Sequence, residues 1–196
     1  MRTLLVVLLS CSFAAFAQDA GSKQSPSKTS GSSDAQFAKK AAQGNMAEVA
    51  LGKLATQNAQ SDDVKKFGQR MVDDHTKAEQ DLEGVASKNN LTLPTDVSPT
   101  QKAEEQRLEK LKGAAFDRAY MRLMVKDHVK DVAEFKKESE NTAANGDLRD
   151  YAKRTYPTLD DHLTNAKAVN DTLSSKAGAT KSGGNGQSGG PGLLLI

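Results

Sequence analysis

Residues 63–75 read DVKKFGQRMVDDH, and residues 147–162 read DLRDYAKRTYPTLDDH. Each opens on an acid, sets bases around one aromatic and ends on two acids and a histidine. The second copy carries about one extra turn, which holds Tyr156 and Pro157. In the first copy Val64, Phe67 and Met71 recur at intervals of three and four, the period of an amphipathic helix. Upstream of each copy stands a related segment. Phe37 is followed eleven residues later by Glu48, and Phe116 eleven residues later by Asp127 and then His128. The chain therefore reads as two related helical hairpins. Two hairpins with apolar stripes bury them best as a four-helix bundle, so the expected class is all-α.

The punctuation agrees. A first long helix is expected over 35–58 with Asp34 as N-cap, and a second from Ser61 to about residue 88, ended by Asn89-Asn90. Pro94 falls in a loop, and Ser98-Pro99 opens a short extra helix before the third long one. Gly113 interrupts, and a third long helix covers 114–141. After Asn145-Gly146 a fourth runs from Asp147 to about Leu173, with a kink expected at Pro157.

The ends differ in character. Residues 1–17 carry Arg2, an apolar run and Ala15-Phe16-Ala17, the pattern of a secretory signal peptide cleaved after Ala17. The alternative is lipidation at Cys11, after Leu8-Leu9-Ser10. Cleavage removes the only cysteine and leaves a periplasmic or secreted chain with no disulfide. Residues 18–34 read as a flexible linker, 35–174 as the bundle and 175–196 as a disordered Gly/Ser-rich tail. The mature chain has no segment that reads as a transmembrane span.

Composition narrows function by exclusion. Apolar residues make up 37% and aromatics 5%, a thin core with polar ends. Net charge is +2, but residues 35–174 hold 22 basic and 23 acidic residues, interleaved as on solvated helix faces. A nucleic-acid surface needs a basic excess, so no nucleic-acid partner is expected. No Gly-rich phosphate loop and no nucleophile constellation is recognisable.

The histidines are the candidate site. The sequence has three, each after an Asp: His75, His128 and His162. At 100° per residue, all three fall on the apolar arcs of their helices, as does Glu48 between Phe37, Ala41, Leu51 and Ala55. Glu79 and Asp131 lie at the edges of these arcs. Counting residues from the turns puts Glu48 within roughly 6 Å of the level of His75, and His128 within roughly 3 Å of His162. All four long helices thus bring a metal-competent group to similar depth. Buried carboxylates need partners. Either a transition metal (Fe, Mn, Zn or Cu) is held by Glu48, His75, Glu79, His128, Asp131 and His162, or these form a polar network without one. Met46, Met71, Met121 and Met124 read as core filler, and Tyr120, Tyr151 and Tyr156 as packed aromatics. Asp73, Asp74, Asp160 and Asp161 read as solvated surface.

Four stretches resemble a known family: AAQGNMAEVALGKLA (41–55), FGQRMVDDH (67–75), FDRAYMRLMVKDH (116–128) and PTLDDH (157–162). They are similar to the bacterial domain-of-unknown-function 4142 family, often labelled predicted outer membrane proteins and grouped with the ferritin-like fold. The resemblance covers about 35–173 and implies an exported ferritin-like four-helix bundle with no established activity. Ferritin-like di-iron proteins set Glu three residues before a ligand His. Here those positions are Val72, Val125 and Leu159, a departure from an iron-oxidising centre.

Two functions from different classes follow. One is a non-catalytic envelope or stress-related binding protein with an envelope protein partner. The other is a metal-binding, redox-capable protein built on the inward histidines and carboxylates.

Overall fold

A computed structural model describes residues 28–182. The expected signal peptide, Cys11, the start of the expected linker and the end of the expected tail lie outside the described residues. The chain forms α1 (Lys28–Asn58), α2 (Asp62–Lys88), α3 (Pro99–Glu109), α4 (Gly113–Glu140) and α5 (Gly146–Ser182), with no strand among the described residues. None of these helices is long and apolar enough to cross a membrane.

Two helix ends differ from expectation. Helix α1 begins at Lys28, so Asp34 is not its N-cap and the expected linker is helical from Lys28. Asp34 is buried, and its Oδ2 accepts the Asn145 amide at 3.3 Å, a contact that ties this turn to the start of α5. Helix α5 runs through Pro157 and on to Ser182, beyond Leu173 and into the segment read as a tail. Other boundaries fall where the punctuation put them. Ser98 and Gln101 form a capping box at the start of α3. The Asn145 side chain accepts the amides of Asp147 and Leu148 at the start of α5.

Helices α1 and α2 pack as one hairpin, α4 and α5 as the other. Gly52 and Gly68 let the first hairpin close tightly. A Cβ on Gly52 would sit 2.5 Å from the Gly68 carbonyl oxygen, and one on Gly68 would sit 2.6 Å from the Ala55 Cβ. The hairpins meet α2 against α5 and α1 against α4, and α3 lies over α1 and α4. Asp117, near the start of α4, accepts the amides of Gln60 and Ser61 at 3.0 Å each. Lys88, at the end of α2, pairs with Asp147 at the start of α5. So α4 starts where α2 starts, and the long connection 89–112 returns along the bundle. That is a four-helix bundle with one long crossover, the ferritin-like arrangement.

The core has two apolar halves. One gathers Leu51, Phe67, Met71, Phe116, Tyr120 and Met124. The other gathers Phe37, Leu82, Phe135, Leu148, Tyr151 and Leu159. Met71, Met121 and Met124 are fully enclosed, as core filler should be. Four buried polar side chains, Glu48, His75, His128 and His162, fall between the two halves along the sequence of each long helix.

Candidate metal centre

Because α2 and α4 run parallel from the same end, His75 and His128 lie at nearly the same depth: thirteen residues past Asp62 and fifteen past Gly113. Helix α5 runs back past them and adds His162. Their exposures are 4%, 0% and 1%. Ring centroids are 5.9 Å apart for His75–His128 and 5.4 Å for each of the other two pairs. One ring nitrogen of each lies within 4.8 Å of the others.

The outward nitrogens decide the tautomers. The Nδ1 of His128 lies 2.9 Å from the Met124 carbonyl, which can only accept, so Nδ1 carries the hydrogen. The Nε2 of His162 lies 2.7 Å from Asp74 Oδ2 and donates to it. His162 and Arg70 hold the Asp74 carboxyl below its ordinary range, against the opposing effect of burial. The Nδ1 of His75 lies 3.0 Å from Asn45 Oδ1. The Asn45 amide group is turned the other way, donating to Glu79 Oε2 at 3.0 Å and Tyr151 Oη at 3.3 Å. Its oxygen therefore accepts from His75. Each ring is left with one bare nitrogen: His75 Nε2, His128 Nε2 and His162 Nδ1, all buried and without a hydrogen-bond partner.

Electrostatics keep these nitrogens unprotonated. Burial, then the neighbouring rings, pushes His75 well below the usual histidine range. Burial and then His162 bring His128 down to about 4. Burial also lowers His162, against the pull of Asp74. At neutral pH the site offers three neutral imidazole lone pairs inside an apolar shell. That donor set suits Zn, Cu, Fe or Ni rather than the oxygen-seeking Mg or Ca.

The carboxylates named with the histidines divide. Glu48 of α1 and Asp131 of α4 do not join the trio. They line a groove of about 370 Å³ beneath α3, together with Glu104 and Asp127. Burial, followed by the charges of Asp131, Asp127 and Glu104, raises Glu48 well above its ordinary range. Burial, followed by Asp127 and Glu134, raises Asp131 to about 7. Asp131 also lines a small cavity with His75. Glu79 is half-buried and bound to Asn45, one step removed from His75. Tyr120 and Tyr151 are packed aromatics as read, but the Tyr120 hydroxyl is buried without a partner.

Asp74 is a correction. It was expected to be solvated surface, yet it is the acceptor for His162. Its side chain turns from α2 toward α5, where it meets His162, and Arg70 of its own helix binds it from one turn back. Asn45 was not singled out at all. It stands three residues before Glu48 on the inward stripe, a spacing that could have flagged it.

The family model described as a domain of unknown function (DUF4142) matches residues 18–169. No curated protein matches the sequence. Among solved structures, a DUF305 fragment from Deinococcus radiodurans superposes with a TM-score of 0.62 at 16% identity, covering 71% of this chain and 95% of that one. A DUF305 protein from Streptomyces coelicolor superposes with a TM-score of 0.60 at 17% identity, covering 74% and 93%. At such identities these two show the shared fold alone.

Proposed function

The chain belongs to the DUF4142 family, and from that premise we propose that it is an exported metal-binding protein in which His75, His128 and His162 hold one transition-metal ion. The observation that carries the reading is that three buried rings meet with one nitrogen of each within 4.8 Å of the others, while each ring keeps one bare nitrogen and a hydrogen bond at its other one. Metal-ligating histidines are oriented in this way, by a carbonyl, carboxylate or amide outside the ion. A polar network without metal would leave these three nitrogens unpaired inside the protein, a costly arrangement. Zn2+ and copper fit best, since three neutral imidazoles supply no hard anionic oxygen. The burial of all three rings supports holding an ion rather than turning over a substrate. The leader pattern of residues 1–17 supports export to the envelope, where such a protein would bind or buffer metal.

The test is elemental analysis and calorimetric titration of residues 18–196, purified without chelator and exposed separately to Fe, Mn, Zn and Cu. The expected result is one ion per chain, taken up by wild type and lost in His128→Ala and in His162→Asn proteins that keep their helical circular dichroism. A wild-type protein that retains none of the four metals overturns the reading. So does undiminished binding in both variants.

A further inference from the structure

The groove beneath α3 contains more acid than its lysines can match. Glu104 Oε1 is taken by Lys126 at 2.7 Å, and Glu134 Oε1 by Lys40 at 2.8 Å. Asp127 lies 3.4 Å from Lys130 and 3.9 Å from Lys126. Glu48 and Asp131 are left over. Glu48 is only 4% exposed, and its Oε2 is buried with no hydrogen-bond partner. Asp131 makes neither a hydrogen bond nor an ion pair among the described residues. The two face the same groove from adjacent helices, and Asp131 is the foremost of the charges acting on Glu48.

We propose that Glu48 and Asp131 form a second cation site, separate from the histidines, which takes a hard divalent ion of the Mg2+ or Mn2+ kind. Two carboxylates that no lysine meets in an ion pair supply the oxygen donors that such ions require. The groove leaves room for the waters that Mg2+ keeps when one or two carboxylates hold it. Imidazole and carboxylate donors are thereby sorted into two sites of different softness, one enclosed in the core and one open to solvent through the groove. The competing account is that each carboxyl simply keeps a proton.

Mn2+ titration followed by electron paramagnetic resonance tests this, on protein first saturated with Zn2+ so that the histidines are occupied if they bind metal at all. The expected result is one bound Mn2+ per chain, displaced by excess Mg2+, and lost in Glu48→Gln and in Asp131→Asn. Both variants keep the side-chain shape, and either alone decides if the other misfolds. Wild type that holds no Mn2+, or two folded variants that hold it as wild type does, overturns the site. The carboxylate count is read whether or not Zn2+ was retained, so failure of the histidine site and failure of this one are told apart.

Discussion

Asp74 on α2 accepts a hydrogen bond from His162 Nε2 on α5 at 2.7 Å, and Arg70 holds the same carboxylate oxygen from one turn away at 3.1 Å. Arg70 also reaches Asp161 at 2.6 Å, so the acids flanking two of the histidines are clamped by one guanidinium. The partially exposed Asp74 is thus what turns His162 Nδ1 inward. Asp74→Asn removes the charge that holds this tautomer, and Arg70→Ala loosens the clamp. Loss of such an outer partner lowers metal affinity by about 10–100-fold. Competition titration with a chromophoric chelator should show that drop for Asp74→Asn and a smaller one for Arg70→Ala, with helical content unchanged in both.

Asn45 joins three partners: His75, Glu79 and Tyr151. Asn45→Ala leaves the His75 Nδ1–H and the Tyr151 hydroxyl without this partner inside the bundle, at a cost of about 1–3 kcal/mol. Tyr151→Phe removes the 3.3 Å bond to Asn45 and should cost about 0.5–1.5 kcal/mol. Urea denaturation of the metal-free proteins measures both, and the order Asn45→Ala worse than Tyr151→Phe is the decisive feature.

What could be read from residues alone was whatever depends on period and punctuation. The spacing of Val64, Phe67, Met71 and His75 put one histidine on a buried face, and the repeated DDH phrase did so again at His162. Glu48 was correctly placed on a buried stripe. Depth along the axis was also legible, because 1.5 Å per residue needs no knowledge of neighbours. Which neighbour each buried group faces was not. Glu48 turns toward the groove under α3 rather than toward the histidines, which depends on where the 89–112 crossover lays that short helix. Asp74 could be assigned only once α5 was known to lie beside α2. Asp34 looked like a cap because a Ser/Gly-rich stretch precedes it, but its contact with Asn145 is far away in sequence and carries no local signal.

The closeness of α1 and α2 gives a paired prediction. A methyl on Gly52 meets the Gly68 backbone oxygen at 2.5 Å, and backbone cannot step aside as a flexible side chain can. Gly52→Ala should destabilise by about 1–3 kcal/mol through forced separation of the helices. Gly84, further along α2, is exposed and has nothing within 4 Å of its added methyl. Gly84→Ala should stabilise by about 0.5–1 kcal/mol, from helix propensity alone. Thermal melts of the two single variants should move in opposite directions from wild type.

Glu138, near the end of α4, gives the pH dependence a testable sign. Its residue is 8% exposed, its Oε1 is buried without a partner, and Asp34, also buried, lies among the acids acting on it. Burial first, then Asp34 and Glu134, raises its carboxyl above the usual range, against the hydrogen bond from Asn141. The folded state therefore binds this proton more tightly than the unfolded chain. The contribution to stability is fully present below the unfolded value near 4.5 and is lost as pH rises through the raised, folded value. Glu138→Gln keeps the shape and cannot ionise, so it should lose this component of the pH dependence. Melting temperatures at pH 4 and pH 7 in chelator should show a variant that gains on wild type at pH 7 and not at pH 4. An equal offset at both values would mean that the folded and unfolded chains bind this proton alike, so that burial and Asp34 do not raise it.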